Sequence, residues 1–250
     1  MKAEGARRSF AAILDELCLR PPGRPAPFTN TELARAVTAL GGDITDGYIS
    51  HLRKGHRDNP TLQTLQDLAA ALGVCPAAFV GGRRVRLDEE NPRRSFSAKL
   101  RHLFTAIYPP ERGPYTPEDV AAAVNADGRY GTISASHIRD LLNPAPGTLP
   151  NPRLKHILGL ADHFGLADDD GPQAAYFLDD RLAADVDAEL ADLMALRDAG
   201  VVEFVTRVAA HAPAWSPELR RQAVRAIAQA MESGDARWVF PLTRERLSTE

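Results

Sequence analysis

Hydrophobic residues recur along the chain at the three- and four-residue spacing of an α-helix, and the alternation typical of a strand is almost absent. The first such series includes Phe10, Ile13 and Leu17, and similar series begin at Leu33 and Leu62. Short segments rich in proline and glycine separate the series. Because the gaps between them are short, consecutive helices must pack on one another. The pattern therefore predicts an all-α fold.

The chain contains two copies of one pattern. The segment SFAAILDELCLRPPGRPAPFTNTELARAV from Ser9 matches SFSAKLRHLFTAIYPPERGPYTPEDVAAAV from Ser95. Further along, ITDGYISHL corresponds to ISASHIRDL, and NPTLQTLQDLAAALGV corresponds to NPRLKHILGLADHFGL. A solenoid needs three or more stacked repeats, so two copies indicate the tandem duplication of one small helical domain.

Each copy carries the signature of a helix-turn-helix. In the first copy, Thr29 is a good N-cap for the helix NTELARAVTAL, and Glu32 three residues later completes a capping box. A glycine-containing turn follows, and Thr45 or Asp46 then caps a second helix, DGYISHLRK.

One face of this second helix is predicted to point into the core. Ile49 and Leu52 are three residues apart and lie on that face, which leaves the polar residues of the helix outside or on its edge. Gly55 ends the helix, at a position where glycine adopts a left-handed conformation at little cost.

The combined motif resembles the XRE class of lambda-repressor-like helix-turn-helix regulators. The capped TELA helix, the I-S-x-L-x-x-G helix and the NP-x-L-x-x-L-x-x-L-A-x-x-L-G-V segment carry this resemblance, which covers residues 9–80. The second copy and the helices after it are similar to EspR-type mycobacterial regulators, in which a repressor-like domain precedes a helical dimerisation region. TAIYPPERGPYT and LRDAGV carry that similarity, within about residues 95–232. The chain departs from the EspR-type pattern by its additional helix-turn-helix domain in front.

Double-stranded DNA is the partner that the resemblance implies, with a recognition helix at about residues 46–54 in the major groove. It assigns Asp46, Gly47 and His51 to positions facing base edges, where Asp46 would accept from a cytosine amino group and His51 would donate to a purine N7. An alternative is that HLRKGHR is only a solvated helix end, where cations complement the helix dipole. The predicted DNA-binding residues are Thr29, Asn30, Thr45, Asp46, Gly47, Tyr48, Ser50, His51, Arg53, Lys54, His56 and Arg57.

The distribution of charge supports a polyanion at the front of the chain. Residues 1–87 hold 12 Lys or Arg and 8 Asp or Glu, a net charge of +4, whereas residues 88–250 hold 18 and 25, a net charge of −7. A basic front and an acidic rear favour binding of a polyanion by the first copy.

The second copy has fewer of the residues that bind DNA. Its equivalent helix keeps His137 and Arg139 as candidate polar contacts, but an acidic residue and a proline-broken loop stand where the first copy has cations and a glycine. Two interpretations remain open: a second DNA-binding module, or a degenerate domain that packs or binds a protein partner.

The C-terminal region predicts an interface between two chains. Apolar residues at helical spacing continue after residue 181, and helices with so much apolar surface need a partner face. They either pack on the second copy or form a homodimer, and the EspR-type resemblance favours the homodimer. The residues predicted to lie between protomers are Leu190, Leu193 and Phe204.

The rest of the chain offers little chemistry for catalysis. No histidine pair has a third ligand at metal spacing, no glycine-rich phosphate loop is present, and no nucleophile has a nearby base, so we expect neither an enzyme nor a bound metal or cofactor. Cys18 and Cys75 suit buried free thiols, and no apolar run is long enough to cross a membrane. The predicted location is the cytoplasm, in association with the nucleoid.

The sequence therefore predicts a DNA-binding transcriptional regulator that acts as a dimer. The predicted regions are an N-terminal helix-turn-helix domain (1–82), a linker (83–94), a second, partly degenerate helix-turn-helix domain (95–180), a helical dimerisation region (181–234) and an unassigned tail (235–250). The rival hypothesis is a protein-interaction adaptor that keeps the helix-turn-helix fold without binding DNA.

Overall fold

The computed structural model describes residues 8–86, 94–108, 113–168, 171–172 and 174–198. These residues form ten α-helices, one 3₁₀ helix and a single pair of two-residue strands, which confirms the all-α prediction. In chain order the elements are α1 (Phe10–Leu19), α2 (Asn30–Ala39), α3 (Asp46–Arg53), α4 (Leu62–Leu72), the 3₁₀ helix (Pro76–Val80), α5 (Phe96–Ala106), α6 (Pro117–Asp127), α7 (Ala135–Leu142), α8 (Leu154–His163), β1 (Ala167–Asp168), β2 (Gly171–Pro172), α9 (Ala175–Leu178) and α10 (Asp180–Asp198).

The predicted capping box begins α2. The Thr29 hydroxyl accepts a hydrogen bond from the Glu32 amide at 3.2 Å, and the Glu32 carboxylate accepts one from the Thr29 amide at 2.9 Å. Thr116 and Asp119 form the same box at the start of α6, at 3.2 and 2.9 Å. Equivalent helices in the two copies therefore begin with the same local chemistry.

The core of the first copy is made by the predicted apolar faces. Leu33 of α2, Ile49 and Leu52 of α3, and Leu65 of α4 are fully buried. Gly55 follows α3 with φ of +72°, in the left-handed region, as predicted. α7 of the second copy ends differently, because Asn143 follows it in place of the Lys-Gly pair.

The chain divides into two compact units. One comprises Met1–Thr105 and Tyr115–Val186 and contains the first copy of the repeat and most of the second; the other comprises Ala106–Pro114 and Asp187–Glu250. The start of the segment predicted as a linker belongs to the first unit, where Val85 forms a β-bridge with Val74 and the Arg83 guanidinium pairs with the Asp179 carboxylate at 2.7 Å.

Direct hydrogen bonds join the two copies within the first unit. The Leu62 amide donates to the Pro152 carbonyl, and the Leu154 amide donates to the Pro60 carbonyl, both at 2.8 Å. These bonds are made by the two Asn-Pro turns that precede α4 and α8, and we call this contact the Asn-Pro junction.

The second unit holds the end of α10. The Arg197 guanidinium donates to the Ala106 carbonyl at 3.0 Å and lies 4.2 Å from the centre of the Tyr108 ring. Leu190, which we predicted to pack between protomers, is only 7% exposed within the single chain. Its burial is therefore already complete without a partner. The side chain of Leu193 and the whole of Phe204 lie outside the described residues.

Among the described residues, no helix is both long enough and apolar enough to span a membrane.

Candidate nucleic-acid interface

The outer face of α3 is a narrow polar stripe. Gly47, His51 and Lys54 are exposed and lie four and three residues apart, so their side-chain positions fall on one side of the helix. On the opposite side, Ile49 and Leu52 are fully buried. The two sets fix the rotation of α3 about its axis, because turning the stripe inward would expose the apolar pair. We call Gly47, His51 and Lys54 the α3 stripe.

Gly47 has no structural reason to be glycine. Its φ angle is not positive, and a methyl group built at its Cα would have no atom within 4 Å. The fold therefore tolerates a side chain at this position. A glycine in an exposed first turn does, however, let another molecule approach the helix backbone closely.

Two further predicted residues flank the stripe at the start of α3. Asp46 is exposed, and its carboxylate accepts from the Gly47 amide at 2.8 Å. Thr45 is the N-cap, and its hydroxyl accepts from the Tyr48 amide at 3.2 Å. Tyr48 and Ser50 are half-buried, on the edges of the exposed face. The residues of the first turn are thus available from outside except where capping uses them.

Cationic side chains gather at the other end of α3. Lys54, His56 and Arg57 are all exposed, and the His51 and His56 rings lie 5.7 Å apart. Among the described residues, Lys54 and Arg57 form no ion pair. Unpaired cations beside an exposed helix face are suited to an anionic partner, and they also complement the negative end of the helix dipole.

Arg53, which we predicted to contact DNA, has its hydrogen-bond partners within the protein. Its guanidinium donates to the Asp15 carboxylate at 2.9 and 2.7 Å and to the Asn30 side-chain oxygen at 2.8 Å. The side chain is 19% exposed. Arg53 therefore ties α3 to α1 and α2. Its spacing of four residues from Ile49, on the inner edge of the helix, is the sequence signal for this structural position.

The residues predicted at the start of α2 are also engaged within the protein. The oxygen of Asn30 is occupied by Arg53, and the Thr29 hydroxyl donates to Glu32 at 2.8 Å. Hydrogen bonds from Thr29 and from Arg24 lower the pKa of Glu32 to about 2, so the carboxylate is charged at neutral pH. This end of α2 is therefore less suited to a phosphate than its helix dipole alone indicates.

The matching surface of α7 has a different character. Asp140 stands at the position of His51, and Arg139 forms an ion pair with Glu118 of α6. His137 is half-buried, with its ring 5.3 Å from that of His156. Burial, and to a smaller extent the neighbouring His137, lower the pKa of His156. The net effect is a neutral to acidic face in place of a basic one.

The Cys18 thiol and the possible metal ligands have ordinary structural surroundings in the described part of the chain. The Cys18 thiol is buried, and burial raises its pKa to about 11. Within the same residues, no three histidine, cysteine, aspartate or glutamate side chains come together as a metal site would require.

Comparison with known proteins supplies a family. No protein-family model matches the chain. The nucleoid-associated protein EspR of Mycobacterium tuberculosis, in the strains CDC 1551/Oshkosh and ATCC 25618/H37Rv, is 37% identical over 113 residues. The match covers 77% of EspR and 45% of this chain. This chain belongs to the EspR family. Because the match takes in less than half of the chain, more than half of it lies outside the part shared with EspR.

Proposed function

We propose that this protein is a DNA-binding transcriptional regulator that recognises specific sequences, and that α2 and α3 form a helix-turn-helix of the XRE, lambda-repressor-like type. In this proposal α3 lies in the major groove of double-stranded DNA. α6 and α7 form the second helix-turn-helix. The relationship to EspR, a nucleoid-associated protein, supports DNA as the partner and the nucleoid in the cytoplasm as the location.

The α3 stripe is the observation that carries the proposal. A helix whose inner face is fixed by Ile49, Leu52 and Arg53 presents its outer face rigidly, and a recognition helix needs such rigidity to hold side chains against base edges. Gly47 allows the helix to approach closely, and His51 has the donors to read a purine N7.

Base reading and backbone binding fall to different ends of α3. Residues near its N-terminus face base edges in helix-turn-helix complexes, so Asp46, Gly47 and His51 carry sequence choice. Lys54, His56 and Arg57 bind phosphates, which are the same in every sequence. Arg53 has no direct part in either task, because its donors are used to hold α3 in place.

The proposal extends to a homodimer formed through the C-terminal region, residues 181–234. Since Leu190 is buried within one chain, the interface uses apolar residues beyond it, of which Leu193 and Phe204 are the candidates that the sequence offers. The protein uses no cofactor or metal and is not an enzyme in this proposal.

A second candidate function is a protein-interaction adaptor with a helix-turn-helix fold. The observation in its favour is the face of α7, where Asp140 and the Arg139–Glu118 ion pair replace free cations. A surface with mixed, paired charges is more typical of a protein-binding face than of a DNA-binding one. This function would apply to the second copy without excluding DNA binding by the first.

The test is a set of titrations on two duplexes, one carrying a selected preferred site and one scrambled, over a range of salt concentrations. Lys54→Ala should weaken binding to both duplexes and reduce the slope of log K against log salt by roughly 1, since one phosphate contact is lost. His51→Ala should weaken binding to the preferred site by about 1 to 3 kcal/mol and leave the scrambled duplex nearly unchanged.

Arg20→Ala is the matched control. Arg20 is an exposed cation directly after α1, so this variant changes the net charge as Lys54→Ala does, but it should leave both the affinity and the salt slope as they are. Absence of salt-dependent binding to any duplex would contradict the proposal and favour the adaptor.

A further inference from the structure

The Asn-Pro junction is reciprocal. The main-chain amide of Gln63 donates to the Asn151 side-chain oxygen at 2.9 Å, and the main-chain amide of Lys155 donates to the Asn59 side-chain oxygen at 2.8 Å. The two main-chain bonds between α4 and α8 described above form the same kind of exchange. An antiparallel bridge between Thr61 and its counterpart lies between them.

Each of these four hydrogen bonds has a partner bond in the opposite direction, and an ion pair between Lys155 and Asp58 at 2.7 Å adds to them. Asn59 corresponds to Asn151 in the repeat, and Gln63 corresponds to Lys155. Each copy therefore donates and accepts the same hydrogen bonds at equivalent positions. Such exchange is the mark of an isologous interface, in which the same patch is used twice about a two-fold axis. The two copies therefore form an internal pseudo-dimer within one chain.

A second contact repeats this relationship. The 3₁₀ helix and α9 are equivalent segments, with the sequences Ala-Ala-Phe and Ala-Ala-Tyr, and they pack against each other. A methyl group at Gly82 would come within 2.9 Å of the Ala175 side chain, so the backbones approach closely there. The Cys75 thiol donates to the Leu178 carbonyl at 3.8 Å. Two contact regions, both between equivalent segments, fix the copies as a pair.

Because α3 and α7 are equivalent helices of the two copies, we infer that the same approximate two-fold axis relates them. α3 ends at Arg53, eight positions before the bridge at Thr61, and α7 ends at Leu142, eleven positions before the bridge at Arg153. At roughly 3.3 to 3.6 Å per residue, even the shorter connection can reach about 26 Å. Helix-turn-helix dimers place their recognition helices roughly 34 Å apart, or about 17 Å on each side of the axis. The connections are long enough for that separation.

We propose that one chain of this protein binds two half-sites of a single DNA duplex, with α3 in one and α7 in the other, and that the two half-sites differ in sequence. The proposal rests on the proposed function of α3. Double-stranded DNA has two-fold symmetry in its backbone, which a pair of two-fold related helices can match.

The half-site of α7 is read by a different chemistry. Ser136 corresponds to Gly47 and is exposed in the first turn of α7, and Asp140 corresponds to His51. A carboxylate at that position accepts from a cytosine amino group, whereas the imidazole of His51 donates to a purine N7. With fewer free cations, α7 contributes less affinity than α3 but adds sequence choice and fixes the position of the second half-site.

The experiment uses the full chain on its preferred duplex. Hydroxyl-radical footprinting should show protection of two unlike half-sites about one helical turn apart. Inserting five base pairs between them rotates one half-site by about half a turn of the duplex. The affinity should then fall at least tenfold, to that of a duplex with the α3 half-site alone, because the junction holds α3 and α7 in fixed positions. Native mass spectrometry should give a ratio of one duplex, carrying one α3 half-site and one α7 half-site, to each chain bound.

Ser136→Glu tests α7 directly, since it adds a negative charge at an exposed position where the fold accepts it. It should abolish protection of the α7 half-site and lower the affinity for the full site at least fivefold, with no change on the α3 half-site alone. Ala12→Glu, which adds the same charge at an exposed position in the first turn of α1, is the control and should change neither.

The outcomes separate this inference from the proposed function. If the wild-type chain binds no DNA, both the proposed function and this inference are wrong. Binding that ignores the five-base-pair insertion and the Ser136→Glu change, or protection of two identical half-sites by two chains, overturns the paired arrangement and leaves α3 as the only reader.

Discussion

Replacing Gly47 with alanine separates what the fold needs from what a DNA partner needs. The added methyl group has no neighbour within 4 Å, and the backbone is not left-handed, so the folded chain should accept it. Alanine is favoured over glycine in a helix by up to about 1 kcal/mol. For a unit of this size, that gain corresponds to a rise in Tm of roughly 2 to 4 °C.

The effect on DNA binding should have the opposite sign. If base edges lie against the backbone of α3 at Gly47, a methyl group must be accommodated in a closely packed contact, at a cost of about 1 to 3 kcal/mol. The affinity for the preferred site should then fall by roughly 5- to 150-fold. Binding to a scrambled duplex, which depends mainly on phosphates, should change little.

Gly159→Ala is the matched control. A methyl group there would lie 2.8 Å from a Val124 methyl, so this variant should lower Tm and leave the intrinsic DNA affinity of the folded protein unchanged. Fluorescence anisotropy on both duplexes and thermal unfolding monitored by circular dichroism give all the quantities. A Gly47→Ala variant that keeps full affinity for the preferred site would refute the close approach of α3 to the bases.

Three further predictions concern other parts of the chain. Arg53→Ala should lower the free energy of unfolding by about 1 to 2 kcal/mol, a figure already reduced for the partial exposure of Asp15. It should not change the slope of log K against log salt for DNA binding. A slope reduced by about 1 would show that Arg53 binds a phosphate after all. Phe204→Glu in the full chain should convert a dimer to a monomer in analytical ultracentrifugation, because a charge in an apolar interface has no partner; an unchanged dimer places the interface elsewhere. The pKa of His156 is lowered in the folded state, so the unfolded chain binds more protons below about pH 6.5 and stability is lost as the pH falls through that range. His156→Gln should make the fall in Tm between pH 7.5 and pH 5 smaller. If Tm falls by the same amount as in the wild type, His156 is not the cause of the pH dependence.

The helices and their caps were predictable because their causes are local. Leu33, Ile49 and Leu52 are buried as the helical spacing required, and Thr29 with Glu32 forms its capping box from residues three apart. The prediction left open whether Thr45 or Asp46 caps α3, and the structure assigns that role to Thr45. Helix caps depend on hydrogen bonds between side chains and the backbone a few residues away, so they can be predicted directly from the sequence.

The internal partners of Arg53 could not be predicted from the sequence. A cation beside Lys54 in a candidate recognition helix fits a phosphate contact as long as its partners are unknown. Asp15 and Asn30 are 38 and 23 positions away in the sequence, and only the packing of three helices brings them to Arg53. Helical spacing placed the residue on the inner edge of α3, but it did not name the acceptors.

The pairing of the two copies could not be predicted from the repeat. Duplication shows that two similar domains exist, and the Asn-Pro sequence in each indicates a turn. Neither observation says that the Asn59 oxygen caps a helix of the other copy, 96 positions away. That contact depends on the shapes of two complete domains, which a residue pattern does not contain.

The Asn-Pro junction also changes how the protein can evolve. In a homodimer, a substitution appears on both sides of the axis and must suit both at once, whereas here Asn59 can change while Asn151 stays as it is. His51 in one copy and Asp140 in the other show that such independent change has taken place on the outer helices. A pair made of unlike halves has a front and a back. A bound chain would therefore point in one direction along the duplex.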